Sequence, residues 1–142
     1  MKASLFCTSR YMGAAPEGWP VPATEYSAEV AERSMQTTLE QFALADQVGF
    51  DWVSVAEHHF APFSLNPNPM VMAGALTQVV KNAKIALLGP DIPILNPLRV
   101  AEEFAMLDVI SGGRLVAGFP VGTSMDTNYV YGQIPALTRE KY

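Results

Sequence analysis

The chain has 142 residues, 49% hydrophobic and 16% charged, enough apolar side chain to fill one domain core without disulfides or a structural metal and too much for disorder. Its formal charge of -5 removes the electrostatic warrant for binding nucleic acid or anionic lipid. The single cysteine, Cys7, cannot cross-link the chain to itself and reads as a small side chain in an apolar run. The apolar run near the start is too short for a signal-peptide core, and no stretch approaches the ~20 apolar residues of a membrane span, so a cytoplasmic setting is expected.

In chain order, "ASLFCT" at 3–8 reads as a short strand. The Pro- and Gly-rich "YMGAAPEGWPVPAT" that follows can be neither helix nor central strand. From Glu25 to Val48, Ala31, Met35, Leu39, Phe42 and Ala43 recur at helical spacing, and Gly49 is placed to end the helix in a left-handed turn. "DWVSVA" is a near-continuous apolar strand of the kind covered on both faces. Asn68-Pro69 supplies the N-cap and first-turn proline of a second helix through about Val80, and "KIALLG" a third strand. Asn96-Pro97 opens a third helix that Ser111-Gly112-Gly113 terminates before "RLVAGF", and "TREKY" looks like the first turn of one more helix.

Strands beginning near residues 3, 51, 84 and 114, separated by helices, mean right-handed βαβ units in a parallel sheet, an α/β fold. Two architectures fit this order. An open doubly wound sheet suits the length, whereas a piece of an eight-stranded barrel, which needs ~200 residues or more, suits the loops. "SRYMGAAPEGWP" lacks the GxGxxG phosphate turn of the first. Unusual residues stand instead at the carboxyl end of every strand, at Thr8 to Arg10, Glu57 to Phe60, Gly89 to Pro93 and Pro120 to Gly122. In a barrel those ends converge on the rim where active sites are built.

"VSVAEHHF" ends a buried strand in the only two histidines of the chain. Extended backbone alternates faces, so His58 shares one with Ser54 and Ala56, and His59 the other with Val53, Val55 and Glu57. The small neighbours leave room beside His58, and histidine changes charge near neutrality, which makes His58 the candidate for proton transfer. The competing reading is that both imidazoles cap the strand. Adjacent Glu-His-His lacks metal-ligand spacing, no further histidine completes a shell, and no GxSxG elbow is present, so neither a catalytic metal nor a nucleophilic triad is expected. Arg99, Glu102 and Glu103 have the spacing of a solvated ion-pair face. Asp108 and Arg114 lie at the end of the units where polar residues serve stability. Met35, Met70, Met72 and Met106 read as core.

"AEHHF", "NPNPMVMAGAL", "NPLRVAEEFAMLDVISGGR" and the Gly-ended fourth strand together resemble the luciferase-like flavin monooxygenases, the family of bacterial luciferase, from Lys2 to Gln133. The resemblance implies a (β/α)8 TIM barrel of which residues 1–142 form the first four units, a partial barrel and the N-terminal part of one domain. It implies reduced FMN and O2 acting on a small organic substrate, an aldehyde in luciferase itself. By position, His58 would be catalytic, and Phe6 and Glu57 would border the substrate pocket. Leu88, Gly89 and Gly122 would contact the cofactor, with the Leu88–Gly89 peptide where luciferase has a cis bond against the flavin ring. Pro120-Val121 departs from the cysteine and arginine of luciferase and leaves a cationic flavin contact missing. Strands one and four would present unpaired edges, so a homo-oligomer or association with a missing C-terminal half is expected. A deazaflavin (F420) oxidoreductase of the same fold and a catalytically silent fragment or subunit are the alternatives.

Overall fold

The computed structural model describes residues 1–142 apart from Ala15 and Thr123. Strands β1 (Ser4–Phe6), β2 (Trp52–Val55), β3 (Lys84–Leu87) and β4 (Leu115–Ala117) alternate with helices α1 (Ala28–Gln47), α2 (Pro69–Val79) and α3 (Pro97–Ser111). Two short helices follow, α4 (Met125–Val130) and α5 (Thr138–Lys141). All four strands are parallel, in the order β1-β2-β3-β4. A doubly wound sheet reverses direction at a switch point. Here each strand is added beside its predecessor on the same edge, which is the progression of a barrel wall.

Alternation along the strands divides the sheet into two faces. Val53, Val55, Ile85 and Leu87 pack with Phe42 of α1, Leu76 of α2, and Phe104 and Leu107 of α3 in one buried cluster. Each fully buried aliphatic side chain contributes about 1.5–3 kcal/mol. The opposite face carries Phe6, Ser54, Ala86 and Val116 in one row across the register. Ser54 and Ala86 are buried in the middle of that row, while Phe6 at its β1 end is 50% exposed.

The helices start where local chemistry directs. Asn68 Oδ1 accepts from the Met70 and Val71 amides, and Asn96 Oδ1 from Leu98 and Arg99, each ahead of a first-turn proline. Helix α1 begins at Ala28, later than the periodicity suggested, because residues 23–25 form a 3₁₀ turn and the Ser27 hydroxyl caps the helix by accepting from the Val30 amide. Gly112 ends α3 in the left-handed conformation. The strands are shorter than expected, although Cys7 N to Ser54 O at 3.2 Å and Leu88 N to Val55 O at 2.8 Å add a rung beyond β1 and between β2 and β3. Helix α4 was not foreseen, since its "MDTNYV" has no amphipathic run of helical length. Met106, expected in the core, is exposed on α3, while Met70 and Met72 are buried as expected.

At the amino ends of the strands, polar residues hold the frame. The Arg114 guanidinium donates to the carbonyls of Ser111 and Ala83; the Arg99–Glu103 pair, Nε to Oε1 at 2.9 Å, lies instead on the exposed surface of the first half of α3. Asp46, buried at the end of α1, accepts from the amides of Lys81, Asn82 and Ala83 and from the Asn82 side chain at 2.6–3.2 Å. It thereby pins α1 to the turn between α2 and β3. Among the described residues, no helix is long and apolar enough to cross a membrane.

Burial pushes the Asp46 carboxyl up, but its four hydrogen bonds outweigh that, and its pKa falls below the ordinary 3.8. A depressed carboxylate contributes stability that is complete above the unfolded value and is lost as pH falls through the folded one. Asp46→Ala should lose about 3 kcal/mol at pH 7, read by urea unfolding. Asp46→Asn should lack the corresponding share of the wild-type decline below pH 4.

Candidate active site

The loop 9–27 is long but not loose, because backbone hydrogen bonds lace it to the loop after β2. Tyr11 N donates to Pro62 O at 2.9 Å, Val21 N to Phe60 O at 3.0 Å, and Leu65 N to Ser9 O at 2.8 Å. The Trp19 indole donates to His59 O at 3.0 Å. Ser9 and Phe60, both engaged in this lacing, have φ of +56° and +50°, a conformation that side chains other than glycine adopt at a cost.

This scaffold presents the two histidines differently. The His59 ring is buried, its Nε2 2.9 Å from Glu57 Oε1, and packs edge-on against Tyr131. His58 keeps 23% of its side chain exposed, with Nδ1 2.9 Å from Asp126 Oδ2 and its ring edge-on to Phe63. A carboxylate only accepts, so Nδ1 of His58 carries the proton and Nε2 of the neutral ring is left as an acceptor. Among the described residues Nε2 has no hydrogen-bond partner. Asp126 also accepts from the His59 amide at 3.1 Å and from the Ser124 hydroxyl.

Three acids converge here. Glu57 is buried, with Oε1 toward His59 and Oε2 accepting from the Asp91 amide at 3.3 Å. Its carboxylate is thus engaged inside the protein and does not face the open row of the sheet. Asp91 is buried too, and burial first, then the neighbouring Glu57, push its carboxyl up to about 6.

The other expected residues fall into two groups. Phe6 and Leu88 stand half-exposed on the sheet face opposite the helices. Gly89 is buried where β2 and β3 run out together: a Cβ there would meet the Glu57 amide nitrogen at 2.7 Å, so glycine is required by close backbone approach. The Leu88–Gly89 peptide is trans, and the cis bond among the described residues is Trp19–Pro20. Gly122 has φ +66°, and a Cβ there would meet the Asp91 side chain at 2.5 Å. Its smallness serves the acid cluster.

Asp91 lies within the Gly89 to Pro93 strand end marked in the sequence but is not singled out there, and Asp126 lies beyond the last marked strand end. The rule that drew attention to strand ends stopped at Gly122, four residues short of Asp126. Nothing local marks Asp91 as a buried neighbour of Glu57. Among the described residues no three or more His, Cys, Asp or Glu side chains are grouped to hold a metal ion.

A sequential parallel sheet with helices on one face and a histidine–carboxylate pair at its carboxyl rim is a wall of an α/β barrel of the kind whose rim hosts active sites. More narrowly, the chain belongs to the luciferase-like monooxygenase family, whose model matches residues 15–141. It is 37% identical to the alkanal monooxygenase beta chain of Vibrio harveyi over 93 residues, 66% of this chain and 29% of that protein. It is 34% identical to the alkanal monooxygenase alpha chain of Photorhabdus luminescens over 89 residues, 63% of this chain and 25% of that one. The chain thus spans under a third of the length of these relatives. Its fold matches the oxygenating constituent of 3,6-diketocamphane monooxygenase of Pseudomonas putida in complex with FMN, with a TM-score of 0.76 and 24% identity over 99% of this chain and 37% of that one. It also matches the monooxygenase RslO1 of Streptomyces bottropensis, with a TM-score of 0.79 and 24% identity over all of this chain and 40% of that one.

The raised Asp91 carboxyl has a pH consequence. Between 3.8 and about 6 the folded chain holds a proton that the unfolded chain has released, so this group's contribution is complete below that window and declines as pH rises through it. Asp91→Asn should remove the decline, seen as a flatter dependence of the urea midpoint on pH between about 3.5 and 7.

Proposed function

We propose that the chain forms the first four βα units of a flavin-dependent monooxygenase that uses reduced FMN and O2 to oxidise a small organic substrate, in which His58 moves the proton. The observation that carries this is the His58–Asp126 pair. The carboxylate fixes the ring and its protonated nitrogen, leaving Nε2 free at the rim to take or give a proton. Membership of the luciferase-like family supports the reaction class, and the FMN in the Pseudomonas putida structure supports the choice of flavin.

The residues present suit an aromatic ring system. On the face of Phe6, the register that pairs Ser54 with Ala86 places Ala56 beside Leu88 one step further on. Leu88, 46% exposed, has the small Ala56 on its β2 side, and on its β4 side the backbone of Gly118 comes so near that a Cβ would meet the Leu87 carbonyl oxygen. Leu88 and Gly89 would border the flavin. Gly122 would act less directly, through the loop it shapes over Asp91. Phe6 would line the substrate side. A bound reduced flavin would supply the electrons that activate dioxygen. The chain's own part is to orient the ring, to exclude water with its apolar rim and to hold the proton at His58. Pro120 and Val121 bring no cation to this face, so binding there rests on apolar contact. The outer edges of β1 and β4 have no partner strand among the described residues, and pairing with a C-terminal half or with a second copy would cover them.

An anaerobic titration of reduced FMN, followed by flavin fluorescence, tests this in wild type and His58→Ala, with deazaflavin F420 in parallel. Both proteins should bind FMN alike, while oxygen-dependent oxidation of a long-chain aldehyde should fall by about 10²–10⁴ in the variant. Binding of F420 in place of FMN would shift the reading to oxygen-independent hydride transfer. Binding of neither would leave a silent fragment, and equal oxidation by the two proteins would remove His58 from the chemistry.

A further inference from the structure

Helices on the outside of a sheet ordinarily turn charged residues to water, and α1 does so with Glu29, Arg33 and Glu40. Helix α2 does not, because "PMVMAGALTQV" contains no charged residue. It packs against both α1 and α3 and buries Met72, Ala73 and Leu76 in the core, while Val71 and Ala75, one turn apart, are exposed, Val71 by 71%. Helix α3 continues the patch, with Leu98, Met106, Val109 and Ile110 exposed by 69, 63, 80 and 52%. Two hollows indent the same face. One, of about 330 Å³, lies between α1 and α2 beside Met35 and Leu39, and the other, of about 220 Å³, between α2 and α3 beside Met106 and Ile110. Val71 stands on the wall of both.

We propose that the outer face of α2 and α3 is an interaction surface for a second copy of this chain, joined to the first about a two-fold axis. Such an interface must complement itself, and this face carries both protruding apolar side chains and hollows of a size to receive them. Charge favours the same partner. Each copy has a formal charge of -5, so two copies repel one another least where neither presents charge, and α2 is such a place. Arg99 and Glu103 pair with each other at the amino-terminal end of the patch, where they suit the polar rim of an interface. At roughly 100 Å² per whole side chain, Val71, Leu98, Met106, Val109 and Ile110 expose about 300 Å² of apolar surface. That is enough for the apolar core of an interface of ~800 Å² per partner. The surface is built from helices rather than from the open edges of β1 and β4, and it depends on neither flavin nor the role of His58.

Sedimentation of the 142-residue chain, whose single copy has a mass of 15.4 kDa, tests this directly. Wild type should sediment as a dimer at micromolar concentration, and Val71→Glu or Val109→Glu should raise the dimer dissociation constant about 30-fold or more. Both side chains are exposed, so the far-ultraviolet circular dichroism of each variant should match wild type. Arg33→Glu, on the charged face of α1, should leave the dimer intact. A second measurement needs no variant: isotope-filtered NOEs between labelled and unlabelled wild-type chains should connect the methyl groups of Val71, Met106 and Val109 across the two copies. A wild type that stays monomeric at about 100 μM, well above the micromolar limit of standard interfaces, overturns the proposal. So does a dimer that both glutamate variants leave unchanged, or one whose intermolecular NOEs are confined to Phe6 and Phe119 at the strand ends. None of these readouts uses flavin or turnover, so failure here and failure of the monooxygenase reading remain distinct.

Discussion

The Asp126 carboxylate is the contact on which the rim depends. It arrives on α4, after the last strand, and meets residues that follow the second, across the end of β3. A buried carboxylate without donors costs several kcal/mol. Here it receives the His58 ring, the His59 amide and the Ser124 hydroxyl. One group therefore orients the candidate proton carrier, fixes the backbone between the two histidines and ties down the segment after β4.

The neighbouring acids show how the cluster tolerates so much negative potential. Glu57 is matched by the His59 imidazole and the Asp91 amide. Asp126 is matched by its three donors. Asp91, left between them, answers by holding its proton more tightly. Two carboxylates are matched by hydrogen-bond donors, and the third, Asp91, takes up a proton at a higher pH than an isolated aspartate, at about 6, because burial and the charge of Glu57 disfavour its ionised form. Gly122 belongs to this arrangement, because any larger residue would displace the Asp91 side chain.

The sheet is asymmetric in a way that serves the same end. Right-handed crossovers added on one edge put α1, α2 and α3 on a single face, where the large aliphatic residues of β2 and β3 are buried. The other face keeps small residues in the middle and half-exposed Phe6 and Leu88 toward the carboxyl ends. In a closed barrel this face is the interior, and its end is the floor of the site. The two loops that rise above it are laced to each other by backbone hydrogen bonds, which sets an irregular, proline-rich stretch as a wall beside His58.

The sequence by itself determined the elements and their class. Helical periodicity, Asn-Pro starts, glycine stops and apolar strands are local signals, written within ten to twenty residues, and they specified the alternation of strands and helices, the parallel sheet and the division of the histidines between two faces. The motif around His58 marked the family for the same reason, being contiguous. Strand order, which separated a barrel wall from a doubly wound sheet, was decided only by the tertiary structure. So were the Asp126 partner of His58, 68 residues away, the engagement of Glu57 inside the protein and the burial of Asp91. Each of these depends on where distant segments of backbone come to rest against one another, and no pattern of neighbouring residues encodes a distance of that kind.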